Sequence, residues 1–95
     1  MNLSRTFTIT GAFGHTHKVA VSYTHPLYSL TYERHTVTSA TLAGAYAQMC
    51  VWLHDNSYPS ATRDFNYCYE DFLDSAEVRA FLATAKLSTS HIKGD

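Results

Sequence analysis

Residues 5–24, RTFTITGAFGHTHKVAVSYT, decide the fold, because apolar and polar side chains alternate on both sides of a short turn. The apolar members of this pattern are Phe7, Ile9, Phe13, Val19, Val21 and Tyr23. A period of two is typical of a β-strand with one buried face. Gly14 and His15 mark a tight turn between the two halves. The stretch therefore predicts antiparallel strands over residues 5–13 and 16–24, with one apolar face and one threonine-rich face.

The chain after residue 24 predicts a third strand over residues 30–37. Pro26 lies in the turn before it, because proline fixes φ and removes a backbone donor. The alternation changes phase between Tyr32 and Val37, which indicates a bulge or an early exit. Short links between the strands favour an antiparallel meander. The spacing of Phe65, Tyr67 and Tyr69 favours an extended or irregular segment over 63–69, which could supply a fourth strand.

A first helix is predicted over residues 40–55, with Thr38 or Ser39 as its N-cap. Helical periodicity gives it a broad apolar face of Leu42, Ala43, Tyr46, Ala47, Met49, Cys50 and Leu53. Trp52 falls on the opposite, polar side. A second helix is predicted over residues 75–86, where Asp74 and Glu77 resemble a capping box. The expected fold is α+β: a three- to four-stranded antiparallel β-meander with two α-helices packed on one face.

Length and charge limit the possible functions. The 95 residues suit a single domain over 1–95, with a polar tail over 88–95. The net charge is −1, and six acidic residues against Arg63 alone fall within residues 55–77. Nucleic acid is therefore not an expected direct partner. With no secretory signal or apolar run suited to a membrane, we expect a cytoplasmic protein whose two cysteines are reduced.

Candidate catalytic or metal-binding residues form no familiar motif. His15 and His17 could lie on one side of a strand with His35 near them, but zinc sites need three or four ligands with a supporting shell. Cys50 falls on an apolar helix face and Cys68 among acids, and both settings disfavour a thiolate. Carboxylates at helical spacing suit a helix start. We therefore expect no enzyme, no cofactor and no metal site.

The clearest functional signal is the mixture of aromatic and acidic residues from Tyr58 to Glu77, with Trp52 shortly before it in the sequence. Aromatic side chains are common interface anchors, and acidic groups attract basic partners. The expected partner-binding residues are Trp52, Asp64, Tyr67, Tyr69, Glu70, Asp71 and Asp74. The opposing interpretation is that these rings are core and the acids are merely solvated.

We expect a small protein-binding domain whose acidic and aromatic surface blocks a basic site on a protein partner. A short chain without catalytic signatures is typical of phage-encoded inhibitors of host defence, such as anti-CRISPR proteins, which act in the host cytoplasm. One alternative is a homo-oligomeric structural or accessory subunit, dimerising through the uncharged helix 40–54. Another is a small metal- or ligand-binding enzyme that uses its histidines.

Overall fold

The part of the chain before residue 40 forms four strands. The computed structural model describes the backbone of residues 2–93 and the side chains of residues 2–87. Strands β1 (Asn2–Thr10), β2 (Thr16–Thr24), β3 (Leu27–Tyr32) and β4 (His35–Ser39) form one antiparallel sheet in the order β1-β2-β3-β4. This meander, with helices added to it, confirms the predicted α+β class.

The hairpin between β1 and β2 begins earlier than the sequence predicts. The Gly11 amide donates to the His15 carbonyl at 2.8 Å, and Gly14 closes the turn with φ 85°. The hydrogen bond between Gly11 and His15 leaves residues 12–14 as a three-residue loop. One left-handed residue is characteristic of such hairpin loops, and glycine adopts this conformation without strain. β1 therefore ends at Thr10 rather than at residue 13. Phe13, predicted on the apolar face, lies in the loop with 72% of its surface exposed.

The single strand predicted over 30–37 is a second hairpin. Glu33 and Arg34 connect β3 to β4, and Glu33 has φ 57°. The reversal places Leu30 opposite Val37, with both side chains in the core. The change of phase between Tyr32 and Val37 is therefore a turn, not a bulge.

Helix α1 (Leu42–Asp55) follows β4 after a two-residue link. Its N-cap is Thr41, whose Oγ1 accepts from the Gly44 amide at 3.0 Å, rather than Thr38 or Ser39. The buried face is also rotated from the predicted one, because Ala45 is buried whereas Ala47 is exposed. The rotation turns the neighbouring side of the helix, which carries Trp52, partly towards the sheet.

The prediction of an extended or irregular segment over 63–69 is wrong. This region forms α2 (Pro59–Tyr67) and α3 (Tyr69–Asp74), and Pro59 occupies the start of α2, where a missing amide costs no hydrogen bond. Its buried apolar residues recur at helical spacing: Ala61, Phe65, Cys68 and Phe72. The alternating aromatic residues therefore spread around a helix instead of along one side of a strand.

Helix α4 (Ala76–Lys93) is longer than the predicted helix over 75–86. Ser75 caps it in place of Asp74, since Ser75 Oγ accepts from the Val78 amide at 3.3 Å. The polar tail predicted over 88–95 is helical up to Lys93, and residues 94–95 lie outside the described residues. The predicted burial of Val78, Phe81 and Ala85 is confirmed.

The core lies between the apolar sheet face and the helices. Phe7 of β1 makes edge-to-face contacts with Phe72 at 5.7 Å and Phe81 at 6.0 Å. The Tyr46 hydroxyl of α1 donates to the Phe65 carbonyl of α2 at 2.7 Å, which satisfies two buried polar groups and joins these helices. The chain from α2 to α4 is thereby held against β1, and the outer side of α2 and α3 faces solvent.

Candidate functional site

Asp64, predicted to contact a partner, lies inside the protein. Its side chain has no exposed surface, and it connects α2 to the sheet. Oδ2 accepts a hydrogen bond from His17 Nε2 at 2.8 Å, and Oδ1 accepts one from Arg63 Nε at 2.9 Å. The prediction of Asp64 as a surface contact is wrong, because the helical spacing from Ala61 to Phe65 turns it inwards.

The hydrogen bonds to Asp64 keep this buried carboxylate ionised. The hydrogen bonds from Arg63 and from His17 lower the pKa of Asp64, and together they outweigh the opposing effect of burial. His17 Nδ1 contacts the Tyr32 hydroxyl at 2.9 Å, and burial is the main reason that the pKa of Tyr32 is raised. With Nε2 protonated and donating to Asp64, a neutral His17 accepts from Tyr32 through Nδ1.

This arrangement positions His17 but leaves it no free nitrogen. In a catalytic Asp–His pair, the ring nitrogen remote from the carboxylate faces the nucleophile or substrate. Here Tyr32 occupies that nitrogen, and the His17 side chain is only 10% exposed. The cluster of His17, Tyr32, Arg63 and Asp64, named here the Asp64 cluster, therefore works as a polar clamp between α2 and the sheet.

The other histidines considered as metal ligands lie in different surroundings. His15 is exposed in the β1–β2 loop, whereas the His35 ring stacks on Trp52 with a centroid separation of 3.9 Å. No three His, Cys, Asp or Glu residues come together as a possible metal site in the part of the chain that the structure describes. His15, His17 and His35 are thus not assembled into a site.

Trp52 covers the β4 side of the sheet. Its half-buried ring stacks on His35 and lies 5.4 Å from the ring of Tyr58. These contacts explain why Trp52 lies on the side of α1 that the sequence pattern predicts to be polar. They hold the ring against its own chain rather than presenting it with the acidic residues of α3.

Tyr67, Glu70, Asp71 and Asp74 share the outer side of α2 and α3, and all four are exposed. Helical hydrogen bonding continues through the junction, because the Cys68 amide donates to Asp64 and the Phe72 amide donates to Cys68. Spacings of three, four and seven residues therefore place the four side chains on one side. We name these four residues the acidic surface.

The acidic surface carries the exposed carboxylates of Glu70, Asp71 and Asp74. Among the side chains of residues 2–87, no salt bridge involves Glu70, Asp71 or Asp74. Tyr67 is 62% exposed beside them. Tyr69, also predicted to bind a partner, is half-buried against the Tyr46 ring at 5.4 Å and serves mainly the core.

Both cysteines are free thiols in protected positions. Cys50, which the sequence places on the apolar face of the first helix, is half-buried, and burial raises its pKa to about 11. Cys68 is the more buried of the two, and its Sγ–H group donates to the Thr10 carbonyl at 3.0 Å. Burial first, and then Asp64 and Asp71, raise the pKa of Cys68.

We expect both thiols to react slowly in the folded protein. At pH 8, alkylation by iodoacetamide should proceed at least about tenfold more slowly in buffer than in denaturant, since raised pKa values reduce the thiolate fraction. Intact-mass measurements over time check this expectation. Rapid modification of either cysteine in the folded protein would contradict the protected environments described for them.

Comparisons with known proteins give no match: no family model fits the chain, and no curated protein or solved structure resembles it. Within the described part of the chain, none of the helices has the length and apolar character needed to cross a membrane.

Proposed function

We propose that the protein is a non-enzymatic binding protein that docks its acidic surface on a basic site of a protein partner. The observation that carries this proposal is the set of exposed carboxylates on α3, which form no salt bridge with the side chains of residues 2–87, beside the exposed ring of Tyr67. Carboxylates of this kind attract Arg and Lys side chains over a distance set by ionic strength. An aromatic ring among them supplies apolar contact area once the surfaces meet.

The two kinds of residue have separate roles in this proposal. Glu70 and Asp74 are solvated charges, so they contribute mainly to the rate of association and to its salt dependence. Tyr67 has a large ring and a hydroxyl that can donate or accept, which is typical of residues that dominate interface energies. Because the Asp64 cluster clamps α2 to the sheet and Phe72 of α3 packs against Phe7 of β1, the surface is ordered before the partner binds, which reduces the entropic cost of binding.

The particular case favoured by this proposal is a phage-encoded inhibitor of a host defence complex, comparable to anti-CRISPR proteins and acting in the host cytoplasm. Its support is chemical: a nucleic-acid-binding channel is lined by Arg and Lys, and a small acidic protein can occupy such a channel in place of nucleic acid. The small size of the chain and its negative surface suit that role.

Charge reversal tests the proposal against a matched control. Glu70→Lys/Asp74→Lys should weaken binding of a fluorescein-labelled nona-arginine peptide by at least about tenfold at low salt, chiefly through slower association. Glu33→Lys/Asp55→Lys changes the net charge equally at exposed positions elsewhere, and should change binding much less. Fluorescence anisotropy and stopped-flow mixing measure both effects, and circular dichroism checks that each variant is folded.

Equal weakening by the two double variants would contradict the proposal, because binding would then follow net charge rather than the acidic surface. Tyr67→Ala provides an independent check, since it should raise the dissociation rate while leaving the thermal unfolding temperature nearly unchanged. If Tyr67→Ala instead unfolds the protein, the ring belongs to the core and does not act as an anchor.

A further inference from the structure

β1 forms an edge of the sheet, and no strand within the described residues pairs with its outer side. It runs for nine residues without proline, and its register with β2 is continuous from Asn2–Thr24 to Thr10–Thr16. Long, regular edges with open backbone groups are templates for pairing, and proteins usually protect them with proline, bulges or inward-pointing charges. β1 lacks the first two devices, and its one charge, Arg5, is exposed and lies over the Phe7 ring at 5.4 Å, so the backbone groups on the outer side of β1 can accept another strand.

The hydrogen bonds at the end of β1 identify which backbone groups face outwards. The Gly11 amide donates to His15 across the hairpin, whereas the Thr10 carbonyl accepts from the Cys68 thiol on the outer side. Backbone groups alternate along an antiparallel strand. The amides and carbonyls of Ser4, Thr6 and Thr8 therefore face outwards with Thr10, and Cys68 covers only the Thr10 end.

Two grooves accompany this edge, and they differ in charge. One, of about 310 Å³, lies beside the second half of β1 and is lined by Phe7, Ile9, Asp71 and Glu77 among others. The other, of about 220 Å³, lies beside the first half and is lined by Leu3, Arg5 and Phe81 among others. The edge thus has an acidic half and a basic half, and each half has apolar side chains beneath it.

We propose that two copies of the chain associate by pairing their β1 strands antiparallel across a two-fold axis at Thr6. In this register Thr6 faces the partner's Thr6, and Ser4 faces the partner's Thr8, so only outward-facing backbone groups pair. Arg5 lies opposite the partner's Phe7, beside the groove that contains the carboxylates of Asp71 and Glu77. Leu3 lies opposite the partner's Ile9, and the two sheets join into one of eight strands.

A second copy fits this edge because β1 itself carries the complementary side chains. An apolar and a basic residue separated by two positions, Leu3 and Arg5, meet the apolar and acidic half of the neighbouring molecule. The two-fold axis forms each contact twice, as in isologous dimers. The interface differs from the helix 40–54 contact that the sequence suggests, and it does not rest on the proposed binding of a basic partner.

Sedimentation velocity over a range of protein concentrations tests this interface. Thr6→Pro removes an outward-facing amide and no bond to β2, a position at which an edge strand tolerates proline. It should raise the dimer dissociation constant by at least about tenfold, whereas Thr6→Val, which keeps the amide, should change it by less than about threefold. Circular dichroism spectra should remain those of the folded protein.

Charge exchange gives a second, independent test. Arg5→Glu and Glu77→Arg should each weaken self-association, because like charges then face each other at both copies of the contact. An equal mixture of these two variants should recover dimers, since both contacts in the mixed dimer pair opposite charges. Recovery that persists at physiological ionic strength, where long-range attraction is screened, supports a contact between residue 5 of one copy and residue 77 of the other.

Three results would overturn the proposal: a protein that remains monomeric at millimolar concentration, a dimer unaffected by Thr6→Pro, or a mixture that fails to recover association. A dimer abolished by Val51→Lys but not by Thr6→Pro would assign the interface to α1 instead. Binding of the nona-arginine peptide depends on Glu70 and Asp74, so loss of that binding would leave these results unchanged.

Discussion

Asp64→Ala should lower the free energy of unfolding by about 3 kcal/mol, because it leaves a buried imidazole N–H without its acceptor. In the folded protein, the Asp64 side chain is completely buried and contacts both His17 and Arg63. Chemical denaturation followed by circular dichroism measures the change. The secondary structure should persist in buffer, and the midpoint should move to lower denaturant.

The matched control is Asp55→Ala, which removes an acid that also neighbours a histidine. His54 and Asp55 approach to 3.4 Å, but both side chains are well exposed, so the loss should stay within about 0.5 kcal/mol. A double-mutant cycle of Asp64→Ala with His17→Ala should give a coupling energy of about 1–3 kcal/mol. If Asp64→Ala costs no more than Asp55→Ala, the Asp64 cluster is not a clamp.

The same carboxylate gives the protein a defined acid sensitivity. Its pKa in the folded state is below the usual 3.8, so the unfolded chain takes up the proton first as pH falls. The stability contributed by Asp64 is therefore fully present well above pH 3.8 and is lost as pH falls through the folded-state pKa. In unfolding experiments from pH 5 downwards, Asp64→Asn should remove the pH dependence that the Asp64 carboxylate contributes.

Gly11→Ala should destabilise the protein by about 3 kcal/mol, because no room exists for a side chain at this position. A Cβ atom there would lie 2.6 Å from Asp64 Oδ2 and closer still to Cγ. Gly14→Ala is the control: nothing lies within 4 Å of its Cβ, but its φ of 85° costs about 1–2 kcal/mol. Thermal unfolding measures both variants.

The two changes should also interact. In an Asp64→Ala background the overlapping carboxylate is absent, so Gly11→Ala should cost about 1 kcal/mol or less there. Independent, additive costs in the double variant would show that Gly11 and Asp64 do not approach each other as described.

Local alternation predicts the strands well where one face is buried over a whole strand. Val19 and Val21 sit at the centre of β2, and their period of two is enough to fix which face enters the core. The β3–β4 turn is not recognisable in this way, because Glu33 and Arg34 are not the residues that normally mark a two-residue hairpin. Its positive φ at Glu33 is imposed by the pairing of Leu30 with Val37.

In the segment after residue 58, one set of residues repeats with the period of a strand and another with the period of a helix. Phe65, Tyr67 and Tyr69 alternate as a strand would, but Ala61, Phe65, Cys68 and Phe72 recur as in a helix. Every member of the second set is buried, whereas Tyr67 is exposed and Tyr69 only half-buried, so burial decides between the two. Pro59 was the local signal for a helix start.

The exposed part of the candidate site is predictable from composition, whereas the buried part is not. Glu70, Asp71 and Asp74 are charged residues without a nearby basic residue in the sequence, and they lie in solvent. Asp64 differs in having Arg63 beside it in the sequence, but its burial depends on His17, which is 47 residues away in the chain and pairs with it. A single sequence does not indicate a contact of that range.

The most direct test of the proposed function is to locate the bound peptide by nuclear magnetic resonance. Nona-arginine, titrated into ¹⁵N-labelled protein, should shift the amide signals of residues 67–74 most strongly, and these shifts should diminish as the salt concentration increases. Largest shifts at residues 13–17, or along α1 around Val51, would place binding elsewhere and contradict the assignment of the acidic surface as the docking site.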